Sequence, residues 1–116
     1  MGKEEINAFL GAATVYTGKL NFQGVVRIDG VFNGEIESEG MLIVGKDARI
    51  EGRLHVNELV LSGNFIGEAA VAHRATIHKT GVFTGTMHAK ALVLEEGAML
   101  EGEIHMRNAG ELRLEA

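Results

Sequence analysis

The stretch "LIVGKDARIEGRL" (residues 42–54) returns in altered form as "LVLEEGAMLEGEI" (residues 92–104). Each copy opens with an aliphatic triplet and passes a Gly in its middle. Each then closes on an aliphatic residue, a spacer, a Gly, a spacer and a second aliphatic residue. A pattern that returns along a chain is typical of a protein built from stacked repeats.

The closing motif, apolar-x-Gly-x-apolar, occurs six times, with its glycines about 17 residues apart on average. The copies are "YTGKL" (16–20), "FNGEI" (32–36), "IEGRL" (50–54), "FIGEA" (65–69), "FTGTM" (83–87) and "LEGEI" (100–104). The positions beside each Gly are mostly polar, and those two residues away are apolar. This two-residue alternation predicts β-strands. The glycines are expected at corners, where the backbone needs positive φ or close approach.

A unit of this length cannot bury its own apolar face, so successive units are expected to stack. The sequence predicts an all-β, single-domain parallel β-helix of about six short coils with a triangular cross-section. The residues two before each motif Gly form one predicted interior column: Tyr16, Phe32, Ile50, Phe65, Phe83 and Leu100. Those two after it form another: Leu20, Ile36, Leu54, Ala69, Met87 and Ile104. The residues directly after the Gly begin Lys19, Glu35, Arg53 and Glu68, an outward column of alternating charge.

Composition narrows the functional classes. The chain of 116 residues carries a formal charge of −5, which argues against a nucleic-acid partner because phosphate binding needs a cationic surface. It has no Cys, which suits the reducing cytoplasm. No apolar run is long enough for a membrane span, and the first residues lack the layout of a secretory signal. We therefore expect a cytoplasmic protein.

Five histidines raise the question of catalysis or metal binding. His55, His88 and His105 each follow a motif Gly by three residues and so share an outward column, with His88 and His105 on successive coils. A surface metal site is geometrically possible there, but no third ligand is evident. No Ser or Cys is paired with an ordered base, and no Gly precedes a Lys-Ser/Thr pair. We predict no catalytic residue, no metal and no cofactor.

One alternative stays open from spacing alone. Gly18, Gly24 and Gly30 lie six residues apart, as in the left-handed β-helix of many acyltransferases. Later glycines break this series. The alternative function is an acyltransferase-like enzyme or a discrete oligomeric binding module.

Both ends of the predicted rod lack the polar capping repeats that normally close a solenoid. The first coil begins with "INAFLG" and the last ends with "ELRLEA", both apolar and repeat-like. Open strand edges recruit further strands, so we predict end-to-end self-association. The predicted contact residues are Phe9 and Leu10 at one end, with Leu100, Ile104, Leu112 and Leu114 at the other. Residues 1–8 are predicted to be a short tail, and residues 9–116 the polymerisation core.

The stretch "FLGAATVYTGKLNFQGVVRIDGVFNGEIESEGMLIVGKDARIEG" resembles the start of bactofilins, the bacterial polymer-forming cytoskeletal proteins. "RIDG" followed by "GEI", and then "LIVG" with "EG" downstream, is the most specific part. The resemblance covers about residues 9–107. It implies a right-handed β-helix that assembles end to end into non-polar filaments without nucleotide. It also implies a scaffold that positions other factors, such as cell-shape or cell-wall enzymes.

The same resemblance bears on three finer points. A Phe that the family often carries in the last coil, and that matters for polymerisation, aligns with Leu100. Family members often have Pro-rich tails that bind partners, whereas this sequence has no Pro. Many members also reach the inner face of the membrane through a short N-terminal segment. Residues 1–8 carry one Lys against two Glu and give that attachment little support.

Overall fold

The computed structural model describes the backbone of residues 6–115 and the side chains of residues 10–106. All regular elements in this part of the chain are strands. They are β1 (Ile6–Leu10), β2 (Val15–Phe22), β3 (Val25–Ile28), β4 (Val31–Ser38), β5 (Met41–Val44), β6 (Arg49–Leu61), β7 (Asn64–Ile77), β8 (Val82–Glu95) and β9 (Met99–Glu115). Every pairing between them is parallel. The prediction of an all-β parallel solenoid is confirmed.

Strand pairing places the motif copies directly above one another. β2, β4 and the first halves of β6 to β9 form one stack, in which Gly18, Gly34, Gly52, Gly67, Gly85 and Gly102 are successive partners. β1, β3, β5 and the second halves of β6 to β9 form another. Five complete turns of the solenoid therefore separate the first motif Gly from the last.

Each motif Gly divides its strand into two segments. Its φ lies between 127° and 139°, a conformation that L side chains rarely adopt, and so it marks a corner of the coil. We call the stacked segments before the Gly face 1, namely 15–17, 31–33, 49–51, 64–66, 82–84 and 99–101. Face 2 is 19–22, 35–38, 53–56, 68–71, 86–89 and 103–106. Face 3 is 25–28, 41–44, 58–61, 74–77 and 91–94.

Stacking explains why this corner has to be Gly. A Cβ added at Gly34, Gly52 or Gly67 would lie 1.8–2.0 Å from the carbonyl oxygen of the motif Gly in the preceding coil. No Cβ atom tolerates backbone at that distance. The corner glycines are thus fixed by the close approach of successive coils as well as by φ.

The interior is filled by the predicted columns. Phe32, Phe65 and Phe83 are fully buried, and Phe65 and Phe83 stack with ring centroids 5.1 Å apart. Face 3 adds a column of branched aliphatic residues, among them Ile28, Val44 and Leu61. The interior column four residues after the motif Gly contains one polar residue, Ser38, whose hydroxyl accepts a hydrogen bond from the Gly40 N–H at 2.8 Å.

The corners between face 3 and face 1 differ in length. Residues 45–48 and 78–81 form four-residue corners, whereas residues 29–30 and 62–63 form two-residue corners. This difference accounts for most of the variation in repeat length, from 15 residues (Gly52 to Gly67) to 18 (Gly34 to Gly52). The strands themselves stay in register because the corners absorb the extra residues.

Candidate self-association surfaces

The two ends of the solenoid carry strand edges that no other described strand covers. Within residues 6–115, β1 pairs with β3, β2 pairs with β4, and the far edge of β9 has no strand beyond it. Each edge presents backbone N–H and C=O groups along one whole coil. Such an edge is a template for pairing with another chain.

Half-buried apolar side chains lie behind the N-terminal edge. They pack against the core on one side only, and they are Leu10, Tyr16, Leu20 and Phe22. The Tyr16 ring stacks on Phe32 with centroids 5.0 Å apart, and its hydroxyl donates to the Lys19 carbonyl at 3.3 Å. The interior column that contains Phe32, Phe65 and Phe83 therefore ends in a ring that is partly uncovered.

The C-terminal edge has the same construction. The half-buried apolar residues there are Leu94, Ala98, Leu100, Ile104 and Met106. Leu100 is paired in register with Phe83, and Ile104 with Met87. Phe83 and Met87 are fully buried. A further coil placed on either end would cover these side chains and pair the backbone edge in one step.

The structure places the six predicted contact residues on these end strands. Leu10 is half-buried at the N-terminal end, and Leu100 and Ile104 are half-buried at the C-terminal end. Phe9, Leu112 and Leu114 have side chains outside the described residues, but their backbones lie in β1 and β9. Phe9 is in register with Arg27, Leu112 with Leu92, and Leu114 with Leu94.

Sequence reasoning missed several residues of the same kind. Tyr16 and Leu20 are the first members of the two interior columns, whose last members, Leu100 and Ile104, were predicted as contacts. The same logic applied at the first coil would have found them. Phe22 and Met106 required a third interior column, four residues after each motif Gly, which the structure shows and the five-residue motif does not reach.

The alternating charges lie where the sequence placed them. Lys19, Glu35, Arg53 and Glu68 are successive partners along face 2. Arg53 Nε lies 3.7 Å from Glu68 Oε1, with both side chains about two-thirds exposed or more. An exposed pair of this length contributes little to stability.

The outward histidine column is also present, with Ala70 between His55 and His88. The rings of His88 and His105 stack with centroids 4.8 Å apart, and His105 Nε2 lies 3.2 Å from Glu103 Oε1. Among the described side chains, no group of three His, Asp or Glu is arranged to hold a metal ion.

A second histidine contact ties two corners together. His78 Nδ1 lies 3.0 Å from Glu95 Oε2, and the Lys79 backbone N–H donates to Glu95 Oε1 at 3.0 Å. The hydrogen bond from His78, followed by that from Lys79, lowers the pKa of the Glu95 carboxyl despite some opposing desolvation. This contact links the 78–81 corner to the next coil.

Comparison with protein families decides the identity of the fold. The family described as "Bactofilin: Polymer-forming cytoskeletal" matches residues 8–105. The chain belongs to the bactofilin family. The match spans all six motif glycines and all the half-buried end residues except Met106.

A solved bactofilin shares the same architecture. It is described as a cryo-EM reconstruction of Thermus thermophilus bactofilin double helical filaments. The two chains are 35% identical, and the TM-score is 0.74. The aligned part covers 84% of this chain and 96% of the solved one. The comparison with curated proteins gave no match. The family is a structural, cytoskeletal one, which favours the polymer prediction over the acyltransferase alternative.

The described residues contain no helix long and apolar enough to cross a membrane.

Proposed function

We propose that this bactofilin polymerises end to end, without nucleotide, into a filament that serves as a scaffold and not as an enzyme. One observation carries the proposal: both ends of the solenoid present an open strand edge above half-buried apolar columns. Joining two ends removes apolar area from water and pairs both edges, so assembly needs no chemical energy source. The filaments of the Thermus thermophilus protein support the same conclusion.

The proposed contacts are Phe9 and Leu10 at one end and Leu100, Ile104, Leu112 and Leu114 at the other, within a polymerisation core of residues 9–116. Residues 1–8 are proposed as the tail. We place the filament in the cytoplasm, where it would position cell-shape or cell-wall enzymes. Contact with the inner face of the membrane is a subsidiary proposal that co-sedimentation with lipid vesicles tests.

The proposal is tested by substitution on β9. Leu100 is half-buried and inward, whereas its neighbour Met99 is 53% exposed and outward. We expect Leu100→Lys to leave the chain folded but in the supernatant after ultracentrifugation, because a charge would have to be buried in the joint. Met99→Lys is the matched control and should pellet like the wild type. Leu112→Lys combined with Leu114→Lys should behave like Leu100→Lys.

Electron microscopy of the wild type at several salt concentrations provides the second readout. Long filaments are expected without added nucleotide. A uniform small particle at every concentration, or Leu100→Lys filaments of normal length, would contradict end-to-end assembly.

A further inference from the structure

The outward side of face 3 differs in chemistry from the other two faces. Its outward residues include an apolar set on four of the five coils, with Arg74 and Thr76 on the other. The set is Val25, Met41, Ile43, Val60, Ala91 and Val93. In the column that begins at Arg27, strand pairing places Ile43, Val60, Thr76 and Val93 one above another. All are half-buried by their neighbours and form a shallow, continuous surface.

The other faces lack an outward column of this kind. Face 2 presents two cations, Lys19 and Arg53, and four carboxylates, together with its histidines. Face 1 has exposed apolar residues, such as Val15 and Ile66, but an ion pair between Arg49 and Glu51 at 2.7 Å interrupts them halfway along the rod. Face 3 keeps one column, Ile43, Val60, Thr76 and Val93, free of charged residues through four successive coils, although Glu58 and Arg74 lie in the column beside it.

We propose that face 3 is the lateral contact through which two filaments of this chain pair, each resting face 3 against face 3 of the other. The inference rests on the proposed end-to-end assembly and adds a second interface to it. Its occupant is a second copy of the chain. The solved relative forms double helical filaments, an arrangement in which each strand needs a lateral surface as well as its ends.

Periodicity favours a second copy over another partner. The apolar side chains of face 3 repeat at the spacing of parallel strands, about 4.8 Å. An identical sheet has the same repeat, so its side chains can interdigitate along the whole length, as in paired sheets of identical strands. A partner without that repeat would fall out of step within a few coils.

Charge on face 3 also permits self-pairing. Arg27 is neutralised by Asp29, with Nε and Oδ2 3.0 Å apart, and Glu58 is in register with Arg74. Two such surfaces meet without net repulsion. Two copies of face 2 would instead bring an excess of carboxylates together.

The area of the strip explains why pairing would depend on polymerisation. Five coils at about 4.8 Å and four residues at about 3.3 Å give roughly 300 Å² per subunit. A stable contact between two separate proteins needs about 800 Å² per partner. In a filament the contact repeats in every subunit, and these weak contacts add because the subunits are already joined.

The first test replaces outward residues of face 3. We expect Ile43→Lys with Val60→Lys to form filaments of normal length but about half the wild-type mass per unit length, measured by scanning transmission electron microscopy. Ala70→Lys with Thr86→Lys adds the same charge to face 2 and should leave pairing intact. Ile43→Thr with Val60→Thr keeps β-branched residues for folding and should also reduce the paired fraction.

The second test asks whether the two contacting surfaces are the same. Preformed filaments of the double-Lys variant should pair with preformed filaments of Ile43→Glu with Val60→Glu, although each alone stays single. Three outcomes would each overturn the lateral assignment. The wild-type filaments could already be single, the variant filaments could be as heavy as the wild type, or the mixture could show no pairing. Absence of wild-type filaments would instead overturn the proposed function. A folded face 3 variant that forms no filaments would overturn the separation of lateral from end contacts.

Discussion

The middle and the ends of this rod are built from the same columns, yet they differ in burial. Phe65 and Phe83 stack with centroids 5.1 Å apart and are fully buried, while Tyr16 stacks on Phe32 at nearly the same distance and is only half-buried. Both pairs stack aromatic rings in the same interior column. The difference is that a middle ring has a coil on both sides and an end ring has one. Burial in this fold is therefore a property that a neighbouring coil confers, whether or not it belongs to the same molecule.

The largest expected effect comes from the glycine column. Gly67→Ala would place a Cβ 2.0 Å from the Gly52 carbonyl oxygen at a φ of +135°, so we expect a loss of at least about 5 kcal/mol in the free energy of unfolding. At the end of the rod, the nearest atom to a Cβ on Gly18 is Tyr16 Cε1 at 3.8 Å. Gly18→Ala should cost only the backbone strain, about 1–3 kcal/mol. Urea unfolding followed by circular dichroism measures both. Equal losses would show that φ alone, and not stacking, dictates Gly.

The next largest effect is expected in the interior column that contains Tyr16, Phe65 and Phe83. Phe65→Ala should cost about 3–5 kcal/mol because it leaves a cavity in a fully enclosed stack. Tyr16→Ala should cost about 1 kcal/mol in the dispersed chain, where the ring is already partly exposed to solvent. At protein concentrations that support filaments, the loss of stability caused by Tyr16→Ala should rise, because the next subunit then covers the ring. Thermal unfolding of both variants at low and high protein concentration tests this. A Tyr16→Ala cost independent of concentration would mean that Tyr16 stays uncovered in the filament.

Ser38 is a buried polar residue in the otherwise apolar interior of the middle coils. It shares an interior column with Phe22 and Val56, and its hydroxyl satisfies the Gly40 N–H. Ser38→Ala should cost about 1 kcal/mol by removing that acceptor from a half-buried corner. The neighbouring exposed residue supplies the control, since Glu39→Ala should change stability by less than about 0.5 kcal/mol. Chemical denaturation of both variants measures the two changes in the free energy of unfolding. If Ser38→Ala matched the control, water would be replacing the lost acceptor.

The smallest effect is the pH dependence of the 78–81 corner. The pKa of Glu95 is lowered from 4.5 in the folded chain, chiefly by the His78 hydrogen bond. The contribution of Glu95 to stability is therefore present above about pH 4.5 and is lost as the pH falls through the folded pKa. Glu95→Gln should flatten this part of the stability profile slightly, whereas Glu96→Gln, on an exposed neighbour, should do so less. Stability measured from pH 6 to pH 3 checks the difference, and identical profiles would remove Glu95 as a contributor.

The fold was predictable because one five-residue motif specifies register. An apolar residue on each side of a Gly, at two-residue spacing, sets which side chains face inward, and the stacked glycines align every coil. The corners were not predictable in the same way. The four residues of 45–48 and the two of 62–63 serve the same purpose, so chain length between motifs does not give their shape.

The sequence predicted that the two ends carry apolar contact residues, but it identified only some of those residues. Leu100 and Ile104 followed from the columns, but Phe22 and Met106 did not, since their column lies beyond the motif. The contact between His78 and Glu95 joins the first residues of two four-residue corners on successive coils. The two residues follow their motif glycines by 11 and 10 residues, because the corner before face 3 has two residues in one coil and one in the next. Sequence spacing alone cannot align side chains across such corners.

The unequal corners also determine where this protein can be labelled. In the 45–48 corner, the turn is closed by the Ala48 N–H donating to the Gly45 carbonyl at 3.0 Å, and Lys46 and Asp47 are exposed. A fluorescent protein inserted between Lys46 and Asp47 would lengthen an exposed corner that lies between the coils of Gly34 and Gly52 and outside the stacked columns. Because each molecule would carry one such insert at the same coil, the labelled polymer would display its subunit repeat as regularly spaced density in electron micrographs.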